Sequence, residues 1–275
     1  MSDFTQTVLD HYDQHRRELP WRDDVPMRNG QLNPYHITLS EVMLQQTQAA
    51  RVAPKYFEFL QKFPDWEQLA GSSLGSVLGQ WQGLGYNRRA KYLWEAGQLV
   101  CKNGWHLEFP ESAQEVSTLP GIGLNTAGAI CTYVFDEPHV FIETNIRTVY
   151  IYHFFPKAKS VSDNELLPII SKHLHEAHQS VGARTWNWAL MDYGAHLKKQ
   201  HANPSRASKH YTLQSKFAGS NRQLRGAVLR ILSARGEMQA LQLLEELDDV
   251  RLSTVLDALV QEGLVQRDTD MVRLP

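Results

Sequence analysis

Cysteine is nearly missing from this chain: Cys101 and Cys131 are the only two in 275 residues. Two thiols build neither a disulfide framework nor a four-thiolate zinc or iron–sulfur site within the chain. Cys131 falls in the apolar helical run Thr126 to Phe135 and reads as core. No apolar run approaches the roughly 18 residues of a membrane span. The opening residues Met1-Ser2-Asp3-Phe4 carry neither the basic nor the apolar region of a secretion signal. The expectation is a cytoplasmic protein, nucleoid-associated if bacterial, without a membrane partner. The twelve histidines include no His-Glu-x-x-His pair, and His173 and His175 point to different helix faces, so no metal centre is expected. Strand signals are scarce until the end of the chain.

A formal net charge of −2 hides a split. From Tyr193 to Gly236 the cations are Lys198, Lys199, Arg206, Lys209, Lys216, Arg222, Arg225, Arg230 and Arg235, with no Asp or Glu among them. From Glu237 onward acids dominate. The acid-free stretch suits contact with a nucleic-acid backbone, a solvated linker being the plainer alternative.

Hydrophobic content of 42% is ordinary for a folded core. Apolar periodicity predicts helices over Thr5 to Arg16, Leu39 to Phe63 in two pieces broken at Pro54, Leu74 to Gly79, Arg88 to Cys101, Ser112 to Ser117, Asn125 to Phe135, Thr144 to Phe155, Asn164 to His178 and Arg184 to Tyr193. Residues 203–221 read as a basic, polar linker. After it come three helical stripes and a hairpin formed by Leu264-Val265-Gln266 and Met271-Val272-Arg273, which suggest a winged-helix-like unit at 222–275. Its third helix, Arg251 to Gly263, carries Asp257, Glu262 and one Arg, a poor reader of duplex DNA; packing or protein contact is favoured over sequence reading.

Four stretches carry chemistry. Leu119 to Gly128 pairs a Gly-x-Gly turn with a helix start, where Gly121 and Gly123 relax the backbone, Asn125 or Thr126 caps the helix, and free amides face an anion. It lacks the third glycine of a dinucleotide fold and the Gly-Lys-Ser/Thr of a Walker loop, and an ordinary tight turn is its plainer reading. Leu39 to Gln48 puts Glu41 on an apolar helix that ends in the polar cluster Gln45-Gln46-Thr47-Gln48, side chains able to hydrogen-bond base edges. Trp81 to Ala90 sets Tyr86 after two glycines and before Arg88 and Arg89, an arrangement for wedging a base stack near phosphates, or else buried core. Glu143-Thr144-Asn145-Ile146-Arg147 opens another helix with a carboxylate. Glu41 and Glu143 together offer the two carboxylates that cleavage of a glycosidic bond requires, one protonated by burial and one ionised.

With Leu19-Pro20-Trp21-Arg22, these stretches follow in order and spacing the MutY-type adenine DNA glycosylases of the helix-hairpin-helix superfamily, which the chain resembles over residues 4 to 197. The resemblance implies an all-α, two-lobed helix-hairpin-helix glycosylase fold over 1–202, with about 24–135 as one lobe and the terminal helices as the other. It implies a monomer acting on double-stranded DNA with a mispaired or oxidised base, which flips the target base into a pocket. Glu41 matches the acid that protonates adenine at N7, and Glu143 and Asn145 complete the catalytic set. Trp21, Arg22, Gln45, Gln46, Tyr86, Arg89, Asn125 and Asp192 fall at substrate-contacting positions. Gly121, Gly123, Thr126, Arg147, Lys198 and Lys199 fall on the DNA backbone, with room for a monovalent cation at Leu119 to Gly123.

Departures from the family sharpen the expectation. Glu143 stands where the family carries Asp, displacing the carboxylate by about an ångström. Asn125 stands where the endonuclease III branch has its Schiff-base lysine, so strong strand cleavage is not expected. His196-Leu197-Lys198-Lys199-Gln200-His201 replaces the cluster cysteines, so no cofactor is expected. The segment after 202 is too short for the Nudix-like domain that reads 8-oxoguanine. The expected activity is monofunctional excision of adenine opposite 8-oxoguanine or guanine; a thymine or uracil glycosylase acting on G:T or G:U, and a non-catalytic lesion binder, are the alternatives.

Overall fold

The computed structural model describes residues 2–275. In chain order the elements are α1 (Asp3–His15), α2 (Pro20–Asp23), β1 (Met27–Arg28), β2 (Gln31–Leu32), α3 (Pro34–Leu44), α4 (Ala49–Lys62), α5 (Trp66–Ala70), α6 (Leu74–Gln80), α7 (Arg88–Lys102) and α8 (Ala113–Val116). There follow α9 (Leu124–Phe135), α10 (Thr144–Phe154), α11 (Asp163–Val181), α12 (Ala183–Gln200), α13 (Asn221–Arg235), β3 (Met238–Gln239), α14 (Ala240–Leu247), α15 (Leu252–Gln261), β4 (Gln266–Asp268) and β5 (Met271–Arg273). The all-α expectation holds, with strands confined to two small antiparallel sheets.

Several boundaries differ from the periodicity. Helix α4 runs through Pro54, and the interruption falls instead at Gln45–Gln48, where Gln46 takes φ +56°. The left-handed Gln46 turns the chain after α3, whereas Pro54, sixth in α4, forfeits one intrahelical donor without ending its helix. Helix α12 continues past Tyr193 to Gln200. The Asn29-Gly30 dipeptide, φ +52° and +80°, closes the β1–β2 hairpin, the turn type that Asn-Gly favours.

The chain forms two compact units. The first comprises Met1–Thr38, Pro110–Thr118 and Ile122–Leu213; the second comprises Leu39–Phe109, Leu119–Gly121 and Gln214–Pro275. In the first unit α12 packs on α10, α1 and α11, and Phe4 sits among Tyr150, His173 and Trp186 at ring separations of 5.4, 4.8 and 6.1 Å. Arg184, at the start of α12, donates to the carbonyls of Tyr133 and Val134 at 2.6 and 2.9 Å, satisfying the end of α9.

By this division residues 24–38, 110–118 and 122–135, read from the sequence as part of the 24–135 lobe, group with the terminal helices, and the C-terminal unit groups with 39–109. Hydrogen bonds and ion pairs explain the second difference. Gly75 N donates to the carbonyl of Pro275 at 2.6 Å, Lys91 Nζ donates to the carbonyl of Glu262 at 2.6 Å, and Arg88 Nε lies 3.8 Å from the Glu262 carboxylate. Helix α13 also packs on α6, where a Cβ at Gly79 would lie 2.8 Å from Ser233 Oγ. The sheet order β3-β5-β4 beside α13, α14 and α15 is winged-helix-like. Among the described residues no helix is long and apolar enough to cross a membrane.

Candidate functional site

Within the second unit, Glu41 lies on α3 with its residue only 8% exposed, next to the equally buried Ser40 and Val42. The end of that helix is fixed by Arg89. Its Nη1 donates to the carbonyls of Val42, Met43 and Gln45 at 2.8, 2.9 and 2.7 Å. Its Nη2 donates to Thr47 Oγ1 at 3.0 Å and to the carbonyls of Leu84 and Gly85 at 3.2 and 3.1 Å. Burial lowers the Arg89 pKa to about 10, so it stays charged at neutral pH. One guanidinium thus ties the helix of Glu41, the Gln45–Gln48 turn and the Tyr86 loop into one frame. The sequence reading placed Arg89 against substrate or phosphate; the structure commits both of its Nη groups to the protein's own carbonyls and the Thr47 hydroxyl, acceptors that offset the cost of burying the charge.

Gln45 reaches the hairpin turn, with Nε2 donating to the Gly121 carbonyl at 3.4 Å, while Gln46 is exposed. Gly121 has φ +74°, and a Cβ there would lie 2.8 Å from the Tyr92 Cβ, so glycine is required on both counts. Gly123 does not share that requirement. Its φ is −84°, with open space around it, and it serves as the N-cap of α9 without a side-chain bond. The cap expected from Asn125 or Thr126 is therefore absent. Thr126 is half-buried, and the exposed Asn125 turns its Oδ1 to accept from Ile142 N at 3.4 Å. With no side chain over the first turn of α9, its amides remain available to an anion.

Within the first unit, Glu143 is the N-cap residue of α10 but makes no capping hydrogen bond. Its carboxylate is therefore not spent on the helix. Burial raises the Glu143 pKa above the ordinary 4.5, opposed by the charges of Lys198 and then Arg147. Lys198 Nζ donates to Asn145 Oδ1 at 2.7 Å, and burial lowers its pKa while Glu143 holds it up. Arg147 is bidentate to Asp163 at 2.8 and 2.8 Å. Lys198 and Arg147 were both expected on a phosphate backbone; each has an internal partner instead, and of the three cations assigned to that role only Lys199 is exposed.

Gly194 explains how α12 brings Lys198 to the start of α10, since a Cβ there would overlap the Asn145 carbonyl. Two residues earlier, Asp192 is buried with its side chain 1% exposed. Its oxygens accept from Arg17 Nε and N at 2.7 and 2.9 Å and from Arg22 Nη1 at 3.0 and 3.0 Å. Arg22 lies over the Trp188 ring at 5.4 Å, and Trp21 is 5% exposed. Asp192, Arg22 and Trp21, read from the sequence as substrate-contacting positions, are all buried, with Asp192 held by Arg17 and Arg22. Arg17, Asp163 and Gly194 were missed in the sequence; the Gly within Asp192-Tyr193-Gly194-Ala195 was the one available signal.

Among the described residues no group of His, Cys, Asp or Glu is placed to hold a metal ion. The segment Lys198–His201 offers no thiolate and does not fit an iron–sulfur cluster, and burial pushes the Cys131 thiol up to about 12.

Residues 39–179 match the family described as HhH-GPD superfamily base excision DNA repair protein. A protein of Buchnera aphidicola subsp. Baizongia pistaciae named adenine DNA glycosylase is 34% identical over 193 residues, covering 70% of this chain and 52% of the relative. The chain thus spans about half of that relative's length. Another of the same name, from Mycolicibacterium smegmatis, is 28% identical over 285 residues, covering 96% of this chain and 92% of the relative. Among solved structures, that of a thermostable thymine-DNA glycosylase is similar with a TM-score of 0.59 at 23% identity, covering 70% of this chain and 84% of the other.

Proposed function

The chain belongs to the HhH-GPD superfamily of base excision DNA repair proteins, and we propose that it excises adenine standing opposite 8-oxoguanine or guanine in double-stranded DNA. The observation that carries this reading is the Glu143 carboxylate, free of any capping bond and flanked by Lys198 and Arg147. The relatives named adenine DNA glycosylase support the choice of base.

In this mechanism Glu41, buried on α3, gives its proton to adenine N7. The C1′–N9 electron pair then leaves with the base, and the sugar becomes an oxocarbenium ion. The ionised Glu143 stabilises the positive sugar, and the Lys198 charge opposes the rise in its pKa that burial causes. Water then adds at C1′ and yields its proton to the Glu41 carboxylate, restoring the acid. No lysine stands at Asn125 to form a Schiff base, so the product is an abasic site in an uncut strand. The reaction runs without an iron–sulfur cluster.

The phosphate beside the extruded nucleotide is assigned to the uncapped amides at the start of α9, from Gly123 to Thr126. Gln45, Gln46 and Tyr86 are assigned to the gap left in the duplex.

A panel of duplexes carrying A opposite 8-oxoguanine, G, C and T, and G opposite T and U, tests the proposal. Adenine release from the first two, with nicking only after alkali, is the expected result. Processing of G:T or G:U alone would make this a thymine or uracil glycosylase, and tight binding without release anywhere would make it a lesion binder.

A further inference from the structure

Tyr86 has φ +48°, a left-handed conformation that a ring-bearing residue rarely keeps without support. The support comes from the segment leading into α13. Arg222 Nη1 donates to Tyr86 Oη at 2.7 Å, and its guanidinium lies 5.4 Å from the Tyr86 ring centroid. Gln214 Nε2 donates to the same oxygen. Arg222 also holds its own approach, Nη2 donating to the carbonyl and hydroxyl of Ser215 at 2.5 and 3.1 Å. The C-terminal unit that carries Arg222 is seated on α6 and α7 through Pro275, Glu262 and Ser233.

The held segment has the composition of a nucleic-acid contact. Residues 214–219 are all exposed, contain Lys216 and no acid, and present Phe217 at 60% exposure. An exposed ring set among cations offers a face for base stacking beside charges for phosphate.

We propose that the segment Gln214–Arg222 is a strap that binds the DNA strand opposite the excised adenine and, through its grip on Tyr86, sets which opposite base is accepted. This rests on the glycosylase reading above. It gives the winged-helix-like unit a function that does not use its acidic third helix: the unit anchors the strap.

The test uses the full chain with Phe217→Ala, Arg222→Ala, Arg222→Lys and Tyr86→Phe, each checked for native circular dichroism. Duplex affinity and single-turnover adenine release are measured opposite 8-oxoguanine, G and C. Phe217→Ala is expected to weaken duplex binding by about tenfold. Arg222→Ala and Tyr86→Phe should compress the rate ratio between 8-oxoguanine and C by about tenfold, and Arg222→Lys should not restore it, because one ammonium cannot hold Tyr86 and Ser215 together. Unchanged affinity and ratios, or an equal loss opposite every base, would overturn the proposal. If the unaltered protein releases no adenine from any duplex, the glycosylase reading fails instead; the strap is then decided by affinity, and a duplex Kd indifferent to Phe217→Ala and Arg222→Ala overturns it.

Discussion

Lys198 and Asn145 are joined by a 2.7 Å hydrogen bond from Nζ to Oδ1, two residues along the chain from Glu143. The bond holds an ammonium near a half-buried carboxylate whose pKa desolvation raises. Gly194 permits it, by letting α12 lie against the Asn145 carbonyl. A helix-to-helix contact thereby brings an opposing charge to a proposed catalytic group.

A pH profile follows from this arrangement. Glu143 must be ionised to act, its pKa lies above 4.5 because of burial, and Lys198 is the first of the charges that oppose the rise. In Lys198→Met, Glu143 should keep its proton to higher pH. The acid limb of single-turnover base release should then move upward, with a rate loss of about tenfold or more at neutral pH. Lys198→Arg should restore part of the limb. An unmoved limb would detach Lys198 from Glu143. Because Lys198 is occupied internally, the salt slope of DNA binding should respond to Lys199→Ala, by about one, and little to Lys198→Met.

Asp192 is expected to act on stability. Its carboxylate is shared by Arg17 and Arg22 in a buried setting, and Asp192→Ala would leave the Arg22 guanidinium without its partner. Breaking a buried pair in this way costs about 3–5 kcal/mol. Urea denaturation should show that loss, and a midpoint unchanged within error would place Asp192 in a functional role instead.

Acid should weaken the fold before carboxylates titrate. Burial lowers the pKa of His11, His36, His139, His153 and His173 below 6.5, so each is favoured neutral in the folded chain. Between those lowered values and 6.5 the unfolded chain binds more protons. Stability fully present above pH 6.5 should be lost as pH falls through that interval, and a denaturation midpoint that stays flat or rises there would contradict the assignment.

What could be read in the sequence was local or motif-based. The helices of α9, α10 and the C-terminal unit follow from apolar spacing, and the Gly-x-Gly turn announced itself. What could not be read depends on partners distant in the chain. Arg89 looks like an exposed cation after a glycine turn, yet six acceptors from residues 42–47 and 84–85 bury it. Lys198 looks like part of a basic surface until Asn145 is brought to it by packing at Gly194. Asn29-Gly30 carries a hairpin turn signal, but its two-residue strands supply almost no flanking alternation to support it.

The central claim is that Glu41 supplies the proton that releases adenine. Single-turnover release from an A:8-oxoguanine duplex, read by alkaline cleavage at the abasic site, tests it directly in the unaltered chain and in Glu41→Gln. The account predicts release by the first and a loss of at least about a hundredfold in the second with DNA binding retained. Equal rates for the two proteins would contradict it.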